Sequence, residues 1–329
     1  MTHPGGTPGA HGQAYGRGCG TVPVIIDCDP GNDDAIALML AFGSGKLKVL
    51  GVTTVAGNTS GENAYRNALA VLSVIGVDVP VARGADGPIL RPLETAREVH
   101  GESGLGGSHT PAVRLRGSEL SAVEFLSKTL RESEEKVTLV PVGPLTNIAI
   151  AFLAFPDIKK KVERVVLMGG AAGEGNRTPS SEFNIMTDPE AARVVFQSGV
   201  PITMVGLDVT LKALIYPEEV EAIRGSGKVG AFAAGLMEFY SRFYRSKGFS
   251  GNPVHDALAV AAVFDPDVVK TMDAYVDIET RGEFTSGRTV VDFRGLTGKP
   301  PNAQVAVSVD RDRFVTHIKN AISALDSSA

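Results

Sequence analysis

The segment DCDPGNDD, residues 27–34, places four carboxylates, Asp27, Asp29, Asp33 and Asp34, within eight residues, directly behind the apolar run VPVII. Carboxylates gathered at a strand end repel one another, and burying them is costly unless something positive compensates. A cation is the simplest compensation. No Cys and His pair stands nearby at zinc spacing, so the oxygen donors point to a hard ion such as Ca²⁺ or Mg²⁺. The Pro30–Gly31 turn lets Asp29 and Asp34 fold onto one ion, and Asp33 is placed to cap the following helix. Asp27, at the end of the strand, is expected to brace the loop by hydrogen bonds.

Other polar groups recur at the ends of apolar runs. Asn58 follows LGVTTV, GPLTN follows VTLVPV, and MGGAAGEGN, with Asn176 at its end, follows VERVVL. Further on stand Glu182 and Asn184 in SEFNIMTDPEAA, then His255 beside Asp256 in NPVHDALAV; His100 opens HGESGLGG. Tyr240 and Tyr244 lie four residues apart and therefore share a helix face, a spacing that suits a core as well as a ligand wall. In open α/β sheets ligands bind outside the carboxyl ends of the strands, so these segments are expected to meet along one rim.

The elements that must position them alternate. Short β-branched runs (VPVIIDCD, LKVLGVTTV, KVTLVPVG, VERVVLMGG, PITMVGLDVT) are separated by helical patterns such as DDAIALMLAFGS, GENAYRNALAVLSVIG, LTNIAIAFLAF and DPEAARVVFQSG. Continuous apolar strands are those covered on both faces. The pattern predicts an open, mostly parallel, doubly wound α/β sheet flanked by helices. AYVDIET, GRTVVDFR and AQVAVSVD follow one another without helices between them, which predicts a small antiparallel addition before the last helix, DRFVTHIKNAIS. No linker, charge run or repeat interrupts the chain, so residues 21–329 are read as one domain behind a flexible N-terminal segment, residues 1–20.

The net charge of −5 without a basic block excludes the electrostatic footprint of a nucleic-acid binder. Two cysteines make no disulfide framework, and no run is long and apolar enough to span a bilayer. The first twenty residues have neither the apolar region of a signal peptide nor an Arg-rich amphipathic pattern. A soluble, cytoplasmic protein without nucleic-acid or membrane partners is the expectation.

Taken in order, DCDPGNDDAIAL, TTVAGN, HGESGLGG, VPVGPLTNIA, MGGAAGEGN, EFNIMTDPEAA, MVGLDVT and VHDALAV resemble the inosine-uridine preferring nucleoside hydrolases over residues 22–323. That resemblance implies hydrolysis of the N-glycosidic bond of a small ribonucleoside, with one bound Ca²⁺ and with inosine/uridine-type or pyrimidine preference. It implies Asp29 as Ca²⁺ ligand and general base, Asp34 and Asp256 as further ligands, and a backbone carbonyl ligand at Val142, where relatives often carry Thr. It places Asp33 on the ribose 2-hydroxyl and Asp256 on the 3-hydroxyl. Asn58, Asn176, Glu182 and Asn184 match residues that grip the ribose, and His255 matches the proton donor to the leaving base. His100, Tyr240 and Tyr244 fall near the same pocket. The chain has no Trp, which argues against the tryptophan-stacking pocket of the purine-specific branch. A homodimer or homotetramer is implied as well.

Two other classes fit part of the pattern. A DxD also begins phosphatases of the haloacid dehalogenase type, in which the EFN and HDA segments would have no role. A nucleoside or ribose binding protein without turnover would keep the same pocket.

Overall fold

The structure is a computed structural model that describes residues 20–106 and 115–328. The expected N-terminal lead-in lies, apart from Gly20, outside the described residues. The strands are β1 Val22–Cys28, β2 Leu47–Thr54, β3 Val81–Arg83, β4 Val137–Pro141, β5 Val162–Met168, β6 Ile202–Val205, β7 Leu214–Ile215, β8 Asn252–Pro253, β9 Val269–Ile278, β10 Thr289–Asp292 and β11 Ala303–Val309. The helices are α1 Asn32–Gly43, α2 Gly61–Ile75, α3 Arg97–His100, α4 Ala122–Glu132, α5 Thr146–Ala154, α6 Phe183–Thr187, α7 Pro189–Phe196, α8 Leu207–Thr210, α9 Pro217–Arg224, α10 Lys228–Ser246, α11 His255–Phe264 and α12 Arg311–Ser328.

Nine strands form one sheet in the order β10-β9-β11-β6-β5-β4-β1-β2-β3, and β7 pairs antiparallel with β8 apart from it. From β3 across to β11 every pair is parallel. The order reverses between β1 and β4, which pair directly through Val24–Asp27 and Thr138–Pro141. Such a reversal opens a crevice at the carboxyl ends of the two strands.

Alternation along β1 explains how the sheet is covered. Val24, Ile26 and Cys28 point into a core built with Ile36 and Leu40 of α1, Met237 of α10, Leu258 of α11 and Phe314 of α12. Ile25 points the other way, toward Leu126 of α4, Phe152 of α5 and Phe196 of α7. Helix α1 is buried from Asn32 to Ala41, because the sheet, α10, α11 and α12 surround it. Its nearly continuous apolar sequence is what such a site demands.

Two expectations need correction. Gly31, not Asp33, is the N-cap of α1; Asp33 lies within the first turn, Asp34 reaches back to the Gly31 amide, and the His100 ring packed against Gly31 leaves no room for a side chain at the cap. The run PITMVGLDVT is a strand only to Val205, and LDVT turns into α8. The expected antiparallel addition is present: β9 pairs antiparallel with β10 and β11, and β11 also joins β6 in parallel, which fuses the addition to the main sheet.

Candidate active site

The acidic loop leaves β1 at the β1/β4 crevice. Asp29 is fully buried, and its Oδ2 accepts a hydrogen bond from the Asn58 backbone amide at 2.6 Å. Asp34 Oδ1 accepts from the Asp29 amide (3.1 Å), and its Oδ2 accepts from the Gly31 amide (2.9 Å) and from Asn58 Nδ2 (3.0 Å). Asn58, in the loop after β2, thus holds two of the acids. Asp27 faces away from this group and accepts from Thr53 Oγ1 and Asn147 Nδ2. From α11, Asp256 completes the cluster: Asp33, Asp34 and Asp256 each present an oxygen within 4.8 Å of the others.

Among the described residues no ion pair involves Asp29, Asp33, Asp34 or Asp256. Asp29 Oδ1 and Asp33 Oδ1 are buried without a protein partner. Burial, and after it the charge of Asp34, push Asp33 up to about 8. The same two causes hold Asp29 well above the carboxylate range, and burial followed by Asp33 and Asp34 does so for Asp256. The N-termini of α1 and α11 both meet the cluster and offset part of its charge. Buried oxygens of this kind, two of them without a partner, fit a hard divalent cation.

Above the acids opens a cavity of about 420 Å³, lined by Asp33, Asn58, Val142, Asn184 and Asp256 and also by Leu211, Phe243, Lys247 and Phe249. His100, Tyr240, Tyr244 and His255 also line it. The His100 Nδ1 accepts from the Asn32 amide at 3.1 Å, which leaves its proton on Nε2. Burial lowers His100 to about 3, with a smaller contribution from His255, and burial alone lowers His255 to about 3. Both rings are therefore neutral at neutral pH. A chain of contacts runs from Thr210 Oγ1 to His255 Nδ1 (2.7 Å), from His255 Nε2 to the Tyr244 hydroxyl (2.8 Å), on to Tyr240 (3.2 Å), and from Tyr240 to Asp33 Oδ2 (3.2 Å).

The remaining predicted residues also reach the cavity, with part of their bonding already used. The Glu182 carboxylate caps α6 by accepting from the Asn184 and Ile185 amides, and it accepts from the Gly170 amide as well. Asn184 Nδ2 donates to the Val142 carbonyl (2.8 Å), so its Oδ1 is left for a ligand. Asn176 is exposed, and its Oδ1 accepts from the Phe183 amide (3.0 Å). A second cavity of about 430 Å³, beside Arg164, Thr203 and Asp273, lies at the amino ends of β5 and β6, far from these acids.

Sequence reasoning missed Thr210, Asn147 and Asp208, although the LDVT and GPLTN segments that hold them stood out. It also passed over Phe243, Lys247 and Phe249, which have no local signature.

A buried acidic cluster at the switch point of a doubly wound sheet, opening into a cavity walled by His and Tyr, defines a hydrolase-type pocket. The profile of the inosine-uridine preferring nucleoside hydrolases matches residues 24–316, and the chain belongs to that family. It is 47% identical over 298 residues to the pyrimidine-specific ribonucleoside hydrolase RihA of Escherichia coli O1:K1 / APEC, covering 89% of this chain and 96% of that enzyme. Among solved structures, the purine-preferring ribonucleoside hydrolase from Gardnerella vaginalis superposes with a TM-score of 0.88 at 36% identity, covering 93% of this chain and all (100%) of that one. The plant nucleoside hydrolase PpNRh1 does so with a TM-score of 0.87 at 32% identity, covering 92% and 99%. The protein is a ribonucleoside hydrolase.

Proposed function

We propose that the protein cleaves pyrimidine ribonucleosides, uridine and cytidine above all, to ribose and free base, with Ca²⁺ held by Asp29, Asp34, Asp256 and the Val142 carbonyl. The observation that carries this reading is the buried group of acids beneath the cavity, which pair with no Lys or Arg among the described residues and leave two carboxylate oxygens without a partner. A bound Ca²⁺ would orient the ribose 2- and 3-hydroxyls and acidify the attacking water. Asp29, whose Oδ1 has no protein partner, takes the proton from that water. Asp33 accepts from the ribose 2-hydroxyl, and Asp256 from the 3-hydroxyl. Cleavage passes through a ribosyl cation, and the surrounding carboxylates favour the positive charge that develops on the sugar.

Water attacks opposite the departing base, so the anomeric carbon inverts. His255 is neutral, so it serves the leaving base as a relay: one ring nitrogen gives up its proton while the other accepts one from the Thr210 or Tyr244 hydroxyl that it meets. The Asn58, Asn176, Glu182 and Asn184 side chains hold the ribose hydroxyls. Pyrimidine preference is supported by the pyrimidine-specific relatives at 47% identity and by the absence of Trp from the sequence. Among the described residues no helix is long and apolar enough to cross a membrane. We place the enzyme in the cytoplasm as a homodimer or homotetramer, which light scattering on the purified protein checks.

The test of substrate class is release of reducing sugar from uridine, cytidine, inosine and adenosine in parallel. Faster release from the two pyrimidine nucleosides is expected. Faster release from inosine would overturn the base preference, and failure on all four would overturn the activity.

A further inference from the structure

The loop that follows β5 is held in an unusual way. Four successive backbone amides, Gly170 to Gly173, all donate to side-chain oxygens: Gly170 to Glu182 (2.9 Å), Ala171 to Thr289 (2.9 Å), and Ala172 and Gly173 to Asp208 (2.8 and 3.0 Å). These acceptors come from the N-cap of α6, from β10 and from α8, so three of the four amides at the root of the loop are held by elements outside it. At its tip Arg177 pairs with Glu98 (2.8 Å) and Glu94 (3.2 Å), on and just before α3. Between root and tip lies Asn176, which lines the cavity and has its Oδ1 committed to the Phe183 amide. Its amide Nδ2 is the group left to meet a ligand.

We propose that Asp208 is a positioning residue for substrate binding: by accepting both the Ala172 and Gly173 amides it sets where the Asn176 amide meets the nucleoside. The proposal rests on reading the cavity as the nucleoside site. Asp208 does not line that cavity, and its carboxylate is bonded to the loop amides rather than to the acids or the two histidines, so it reaches the ligand through the loop. An acceptor for two adjacent amides fixes both the direction and the register of the loop at its root, which a single hydrogen bond would leave free to pivot.

The test combines uridine kinetics with amide hydrogen exchange for Asp208→Ala, Asp208→Asn, Asn176→Ala and the double variant Asp208→Ala/Asn176→Ala. Asp208→Ala is expected to raise KM about tenfold with kcat within about twofold, the signature of lost binding common to ground and transition states. Asp208→Asn retains one acceptor oxygen and recovers part of that loss. In the Asn176→Ala background the Asp208→Ala change adds less than about twofold in KM, because coupled residues are not additive. Exchange at residues 172–176 speeds up while Tm stays within the error of the wild type.

Additive effects on KM, or a loss confined to Tm, would overturn the positioning role and leave Asp208 a structural staple. If Asp208→Ala does not fold, Asp208→Asn carries the same comparison. If the wild-type protein turns over no nucleoside, the activity fails separately. The exchange arm still decides this proposal, because unchanged exchange at 172–176 in the Asp208 variant refutes it.

Discussion

Asp29 keeps one carboxylate oxygen bound to the Asn58 amide and the other free of protein partners. If that free oxygen is the base, Asp29→Asn at saturating Ca²⁺ lowers kcat for uridine about a thousandfold, within the range of general base catalysis. Uridine affinity by calorimetry changes only a few-fold. A variant with near-normal kcat would remove Asp29 from the role. His255 makes a different prediction. Its Nε2 contacts Tyr244 rather than an acid, and its ring is neutral across the physiological range. His255→Ala is therefore expected to reduce kcat unequally for uridine and inosine, since their leaving bases differ in their need for a proton; equal, small losses would mark His255 as packing. At this scale much of the site was legible, because Asp29, Asp33 and Asp34 share one turn and the EFN and HDA segments are compact. Thr210 was not legible as a partner of His255: the two stand 45 residues apart, and only the return of α8 against α11 brings them together.

The elements deliver these groups through close approach as much as through side-chain bonding. Gly57, after β2, and Gly143, after β4, lie so near the Asp29 carboxylate that a Cβ at either position would strike it. Gly143→Ala should displace Asp29 and weaken Ca²⁺ binding more than about tenfold, with Tm in the absence of Ca²⁺ changed by only a few degrees. Calorimetric titration with Ca²⁺ measures it, and unchanged affinity would show that the loop can yield. The alternation of apolar runs and helical patterns was readable because each long element carries its own period. Residues 81–83 were not read as a strand, since three residues carry no period, and α3 is only four residues long. Helix α4 does announce itself, through the reciprocal bonds of Ser121 and Glu124 at its start, a signal the reading of the runs passed over. The expected antiparallel addition was right for β9 and β10. It holds for β11 as well, which pairs antiparallel with β9; what the runs do not show is that β11 also pairs in parallel with β6, a matter of tertiary contact.

At the scale of the whole molecule, the cluster sets how stability depends on pH. The raised values of Asp27, about 7, and Asp33, about 8, mean that the folded protein without cation binds more protons than the unfolded chain between the ordinary carboxylate range and those values. Stability without cation therefore falls as pH rises through that window. Ca²⁺ among Asp29, Asp33, Asp34 and Asp256 replaces the protons of that cluster, though not that of Asp27, so Tm with Ca²⁺ should fall less over the same range, and binding at pH 7 should release protons. Calorimetry in buffers of different ionisation enthalpy reads that release; a titration with no proton release would contradict the placement of the ion among these acids. The strand order reverses at this crevice and two helix N-termini face it, which offsets part of the cost of burying its acids.

The central claim is that the buried acids hold a cation on which ribonucleoside cleavage depends. Release of reducing sugar from uridine, followed before chelation, after exhaustive chelation and after Ca²⁺ is restored, tests it most directly. The account predicts ribose release that stops on chelation and returns with Ca²⁺; release that continues at the same rate in fully chelated protein would contradict it.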